Sequence, residues 1–301
     1  MSDVSEPSRR AIVGRSAAWR ALACAPFVAL LVALCVALLP ACDRRAARPS
    51  GSVPQRIVSL APSCTETLIA LGAAARLVGI SDYCPELPAG GTAVRVGGLE
   101  NLNVEALVGL APDLVLTVQA SDDRGLAALA RLGVAVRGSN PQSIAAMVAE
   151  VEALAELVGA AERGRELAAS LRARLEVVAK EVAARPARPR VYVEVDEGCW
   201  TIGRASFVHE ALVWAGGDNL FADVAQSYFQ ASQEELIGRA PDVVVLLHPI
   251  GRPLAERPEI AALAAFRAGR VVADLDRDAL LRSSPRLVDG IEALARRLAA
   301  P

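Results

Sequence analysis

Two stretches in opposite halves of the chain follow one pattern. The first runs from Asn103 through Glu105 to Ala111-Pro112-Asp113 and Leu114-Val115-Leu116; the second runs from Ser232 through Glu234 to Ala240-Pro241-Asp242 and Val243-Val244-Val245. Each reads as a polar cap, an acid in the first helical turn, a short helix, a stop at Ala-Pro-Asp and a buried strand. Solenoid units recur every 20 to 50 residues or so, and this period is far longer, so the repeat argues for two similar lobes.

The flanks extend the match. Arg56-Ile57-Val58-Ser59-Leu60 reads as a strand followed by a helix that ends at Gly72, and Arg190 to Val195 reads as a strand followed by a helix from Phe207 to Ala215 that ends at Gly216-Gly217. After the repeated segments each half offers a further glycine and strand, Gly133 to Val136 and Gly269 to Ala273. Strands alternating with helices at this spacing predict an α/β fold: two Rossmann-like lobes, residues 55–140 and 187–301, with mainly parallel sheets covered on both faces. Between them, residues 141–186 carry helical patterns to Leu157 and from Ala160 to Ala184, interrupted at Gly159. The second would be roughly 37 Å long at about 1.5 Å per residue, so a long stiff helix is expected to bridge the lobes.

The start of the chain bears on its compartment. Arg9, Arg10, Arg15 and Arg20 precede an uncharged run from Ala21 to Ala41, which has the layout of an export signal. Its end, Leu39-Pro40-Ala41-Cys42, resembles a bacterial lipobox, which implies a lipoprotein-type signal peptide over 1–41, lipidation of Cys42 and a polar tether over 42–54. An uncleaved apolar anchor and ordinary signal cleavage are the competing readings. The formal net charge is −2, and four arginines fall before Cys42, so nucleic acid is not the expected partner.

Cys64 and Cys84 follow the first two predicted strands. Neighbouring strands lie about 4.8 Å apart, so a disulfide is one expectation; two free buried thiols, or soft metal ligands, are the others. His209 and His248 lie far apart in sequence and make a weak metal case. There is no phosphate loop, no Gly-x-Ser-x-Gly elbow and no His-Glu-x-x-His, and no residue stands out as a nucleophile or base. An exported enzyme using an interlobe cleft and an envelope interaction protein with an aromatic-rich second lobe remain competing classes.

Ser59-Leu60-Ala61-Pro62-Ser63 with Thr65-Glu66, Gly79 to Tyr83, Val96-Gly97-Gly98, Glu105 with Ala111 to Val115, and Ser284-Pro285-Arg286 together resemble the helical-backbone (class III) substrate-binding proteins of bacterial ABC importers, and among them the corrinoid binders. The resemblance spans residues 55–298. It implies a non-enzymatic, monomeric carrier on the periplasmic side of the envelope, with no cofactor of its own, holding cobalamin or a related corrinoid between its lobes. It also implies an ABC permease dimer with its ATPase as partner. Tyr83, Trp200 and Tyr228 would line the ligand, Asp278 and Arg282 would meet its polar rim, and Glu105 and Glu234 would dock on the permease. Where the corrinoid binders carry tryptophans, this chain has Leu99 and Val118. Burying one large side chain is worth roughly 1.5–3 kcal/mol, so the smaller residues keep a ferric siderophore or a haem, with Tyr83 as its ligand, among the alternatives.

Overall fold

Alternation along the strands decides how the sheets are covered. Val191, Val193, Val243 and Val245 face one apolar cluster, whereas Tyr192, Val244 and Leu246 between them face another. In the first lobe Ile57 and Leu116 turn to the first of these clusters, and Val58 and Val115 to a third. The computed structural model describes residues 52–88, 91–98, 101–118, 130–131 and 133–299. The expected signal peptide, Cys42, most of the tether and Leu99 lie outside the described residues.

The first lobe comprises β1 (Ile57–Ser59), α1 (Pro62–Ala70), β2 (Leu77–Ile80), β3 (Val94–Arg95), α2 (Val104–Gly109), β4 (Leu114–Thr117) and β5 (Ala135–Gly138). Its sheet has the order β3-β2-β1-β4-β5, with every pair parallel. Strand order reverses between β1 and β4, and the crevice outside the carboxyl ends of such strands is where open α/β sheets bind ligands.

Next come α3 (Ile144–Leu157) and α4 (Ala161–Ala183). Ser143 caps α3, its hydroxyl accepting from the Ala146 N–H at 3.1 Å. Gly159 lies at φ +66 in the turn between the two helices. A Cβ on Gly164 would stand 2.2 Å from the Ala155 Cβ, so glycine is what lets α3 and α4 press together. The bridge is thus a helical hairpin whose 23-residue second arm is roughly 34 Å long.

The second lobe holds β6 (Arg190–Asp196), β7 (Trp200–Ile202), α5 (Phe207–Trp214), β8 (Asp218–Asn219), β9 (Tyr228–Gln230), α6 (Gln233–Arg239) and β10 (Val243–Leu246). After these come α7 (Pro258–Ala261), α8 (Ala264–Arg267), β11 (Val271–Val272), α9 (Arg277–Leu281) and α10 (Arg286–Ala299). β10 pairs in parallel with β11 and β6, and β8 with β6, but β6-β7 and β7-β9 are antiparallel. The second sheet is therefore mixed: Gly198 at φ +81 and Cys199 at φ +65 turn the chain straight back after β6.

The repeat read from sequence is real and has one physical basis in both lobes. The Asp113 carboxylate accepts from the backbone N–H groups of Gln55 (2.9 Å) and Arg56 (3.1 Å), and the Asp242 carboxylate from that of Arg190 (2.7 Å). Asp113 therefore pins the two residues just before β1, and Asp242 the first residue of β6. The preceding Ala111 and Ala240 sit at φ +48 and +47, which breaks the helix before the strand begins. One apolar cluster runs from Ile57 and Leu116 through Met147, Leu154 and Leu171 to Val193, Val245 and Ile291, so both sheets and the helical hairpin share a core.

The disulfide expectation fails. Cys64 and Cys84 are free and buried, and Cys64 lies inside α1 rather than in the turn after β1. Cys64 meets the Ser139 side chain, whereas the Cys84 thiol takes the Thr65 hydroxyl at 3.1 Å and lies 3.2 Å from that of Ser81. Placing Cys64 one turn into the helix gives the two sulfurs different partners.

Candidate functional site

Tyr83 follows β2 in a turn closed by the Cys84 N–H on the Ser81 carbonyl. Arg95 on β3 steadies that turn, donating to the carbonyls of Ser81 and Asp82 at 3.1 Å each. The Tyr83 ring is 66% exposed, and a Cβ on Gly98 would stand 2.7 Å from its Cε2. Gly98 is thus the floor on which the ring rests. Val118, directly after β4, is half-buried against the shared core.

Across the lobe boundary, the Arg282 guanidinium pairs with Asp278 at 2.8 Å, donates to the Tyr83 carbonyl at 3.2 Å and reaches Glu66 at 2.7 Å. Three of the expected site residues, Tyr83, Asp278 and Arg282, therefore meet at one place. Glu66 completes it. This carboxylate on α1 is buried and also accepts from Ser284 Oγ and from Arg286 at 3.1 Å, while Arg286 pairs with Asp276. Its signal in the sequence is slight but present: Glu66 is the one charged residue of α1.

Trp200 and Tyr228 form a second group. Trp200 pairs with Gln230 and Ile202 with Tyr228, so the two aromatic residues lie diagonally on one face of the β7-β9 ladder, each 42% exposed. Burial pushes the Tyr228 phenol up, with Ser206 beside it as a hydrogen-bond partner. Beneath the hairpin lies an ion cluster that sequence reasoning missed. Arg257, fully buried, donates to Glu194 and, at 2.8 Å, to Glu259, and Glu194 also accepts the Cys199 N–H at 3.3 Å. His248 Nε2 lies 3.5 Å from the other Glu194 oxygen. A cavity of about 370 Å³ beside this cluster opens between His248, Asp276, Arg277 and Asp278, beyond the carboxyl ends of β10 and β11. A larger one, about 470 Å³, lies elsewhere, between the end of α4 and Trp214.

Glu105 and Glu234 occupy equivalent helical positions in α2 and α6, both exposed and neither with a hydrogen bond or ion pair among the described residues. Ser232 caps α6 by accepting from the Glu235 N–H at 3.0 Å, but the Glu235 carboxylate turns to Arg239 at 2.8 Å and does not close a reciprocal capping box. Among the described residues no cluster of three or more His, Cys, Asp or Glu side chains is placed to hold a metal ion.

Of the six described ligand-lining candidates, Tyr83 and Val118 thus follow parallel strands β2 and β4, Trp200 opens β7 just after the carboxyl end of β6, Tyr228 opens β9, and Asp278 and Arg282 lie in and just after α9. Residues 57–277 match the sequence family described as periplasmic binding protein. The chain belongs to that family. A cobalamin-binding protein of Halobacterium salinarum is 32% identical over 257 residues, covering 81% of this chain and 69% of that one. Among solved structures, the periplasmic vitamin B12 binding protein of Vibrio cholerae aligns with a TM-score of 0.69 at 29% identity, covering 81% of this chain and 96% of that chain. The periplasmic haem-binding protein from Roseiflexus sp. RS-1 in apo form aligns at 0.73 with 27% identity, covering 81% and 97%. These relatives of the present periplasmic binding protein are substrate-binding proteins, and the two solved structures share its two-lobe α/β architecture.

Proposed function

We propose that this periplasmic binding protein holds cobalamin or a related corrinoid between its lobes and hands it to the permease of an ABC importer. The observation that carries this reading is a polar rim whose charges cancel. Arg277, Arg282 and Arg286 are matched there by Glu66, Asp276 and Asp278. A corrin disc has apolar faces and an amide edge, which suits a polar but neutral rim with Tyr83 beside it and the exposed aromatic residues Trp200 and Tyr228 on the second lobe. A haem or a ferric siderophore brings carboxylates or catecholates and would call for unmatched arginines. The identity to cobalamin-binding relatives points the same way.

Delivery to the permease rests on Glu105 and Glu234. Each is followed one turn later by an exposed apolar residue, Val108 and Ile237, both 39% exposed, so the two lobes present the same charged and apolar pair. In this reading the protein works as a monomer and non-enzymatically, exported by residues 1–41 and held on the periplasmic side of the envelope through lipidated Cys42.

Haem is the second reading, favoured by the exposed Tyr83 ring as a ligand for iron. The test is to titrate the protein with cyanocobalamin, cobinamide, haemin and a ferric siderophore while following tryptophan emission, with Trp200→Phe as the control. Saturable quenching by the corrinoids, lost in the control, is the expected result. Binding of haemin alone, with a Tyr83-dependent shift of its absorption, would replace the corrinoid reading with haem.

A further inference from the structure

We infer that Glu66 is the residue that sets charge selectivity in this cleft, turning away ligands whose rim carries carboxylates. The inference rests on the cleft being the ligand site, as proposed above. Four hydrogen bonds cross directly from the first lobe to the second here: Arg282, Ser284 and Arg286 to the Glu66 carboxylate, and Arg282 to the Tyr83 carbonyl. Glu66 is 5% exposed, so its charge is felt through protein rather than through water.

The two guanidiniums that reach Glu66 are each shared between acids. Arg282 is divided between Glu66 and Asp278, and Arg286 between Glu66 and Asp276. Asp276 and Asp278 come from the same lobe as the arginines, whereas Glu66 comes from the other. It is therefore the one acid of the set that both arginines touch, and the only one whose bonds also tie the lobes together. With Glu66 in place, an incoming carboxylate finds arginines already matched and a buried negative charge beside them. A neutral amide or carbonyl can still accept from Arg282, because that interaction needs a donor and not a net charge.

Replacing Glu66 by glutamine keeps the shape, keeps an acceptor oxygen for the arginines and offers the Ser284 hydroxyl an amide it can accept from. Only the charge is lost, which leaves the rim one positive charge in excess. Arg286→Gln does the reverse at a half-exposed position, so the pair moves selectivity in opposite directions without relying on one variant to fold.

The experiment compares two matched sets of discs on the full-length chain purified in detergent: cyanocobalamin against its monocarboxylic acid derivatives, and haemin dimethyl ester against haemin. Within the scaffold that wild type binds, Glu66→Gln is expected to raise the ratio of acid to neutral affinity about tenfold, and Arg286→Gln to lower it, with both effects shrinking as salt is added. Glu152→Gln, on the linking helices, should leave the ratio alone. A ratio unmoved by Glu66→Gln and Arg286→Gln overturns the role of Glu66 while leaving the corrinoid reading standing. If wild type binds only the porphyrins, the corrinoid reading falls and the haemin pair still decides on Glu66; if it binds neither disc, both fall.

Discussion

Trp200 reaches the surface from a turn that an ordinary residue resists. Cys199 directly before it sits at φ +65, and its N–H is taken by the buried Glu194 carboxylate. A half-exposed indole held this way has apolar area left to bury against a ligand. Trp200→Ala is therefore expected to weaken binding by roughly one to two orders of magnitude, measured by equilibrium titration, with the fold unchanged by circular dichroism. Cys64 makes a different prediction. Burial pushes its thiol from 9.0 up to about 12, so the folded state keeps the proton where the unfolded chain gives it up. The stability this represents is whole below pH 9 and is lost as pH rises toward 12, amounting to roughly 4 kcal/mol across that window. Denaturant midpoints measured at pH 8, 9 and 10 should fall in that order, and Cys64→Ala should flatten the alkaline part of the curve. Tyr83 and Trp200 were candidates from sequence because the family resemblance puts ligand-lining aromatic residues at their places, just past strands that the sequence shows. Glu66 was not given a role, because its partners come from the far end of the chain.

Among the elements, the β6-β7 hairpin shows where sequence reading stops. Alternating strand and helix patterns predicted parallel pairing, and three-residue β7 is too short to show a period of its own; the antiparallel return is forced by Gly198 and Cys199 and by the Glu194 carboxylate beneath them. That carboxylate, Arg257 and Glu259 are buried together, and taking away one partner of such a set leaves an uncompensated charge inside the protein. Glu194→Ala should cost about 3–5 kcal/mol in chemical denaturation. It should also lower ligand affinity through the loosened Trp200 hairpin; a stability loss with unchanged affinity would show that the hairpin is held by its other bonds. The Ala-Pro-Asp repeat, in contrast, was readable because everything it does is local in pattern: a cap, a short helix, a break at a positive-φ alanine and an aspartate that pegs a strand.

For the whole molecule, the continuous core linking both sheets through α3 and α4 makes the lobes poor candidates for wide hinge motion. Close packing of Gly164 on Ala155, and the pairing of Arg174 on α4 with Asp289 and Glu292 on α10 at 2.6 and 2.8 Å, fix the bridge at both levels. On the proposed reading, such a body would offer a permease two acids at a set separation, Glu105 on one lobe and Glu234 on the other. The double charge reversal Glu105→Arg with Glu234→Arg should leave corrinoid affinity within about twofold and abolish uptake in cells, since surface substitutions away from the core rarely exceed about 0.5 kcal/mol. Uptake at the wild-type rate by that double variant would remove the two glutamates from the docking surface.

The sequence by itself determined the repeated cap, helix, break and strand of the two lobes and the acids at their equivalent helical positions, because caps, breaks and apolar periods act within a dozen residues of chain. Tertiary structure alone decided that Cys64 and Cys84 stay unbonded, that the second sheet turns back on itself, and that Glu66 meets Arg282, Ser284 and Arg286. Those outcomes depend on distances between groups far apart along the chain, which no local pattern encodes and which only the packing of one lobe against the other can set.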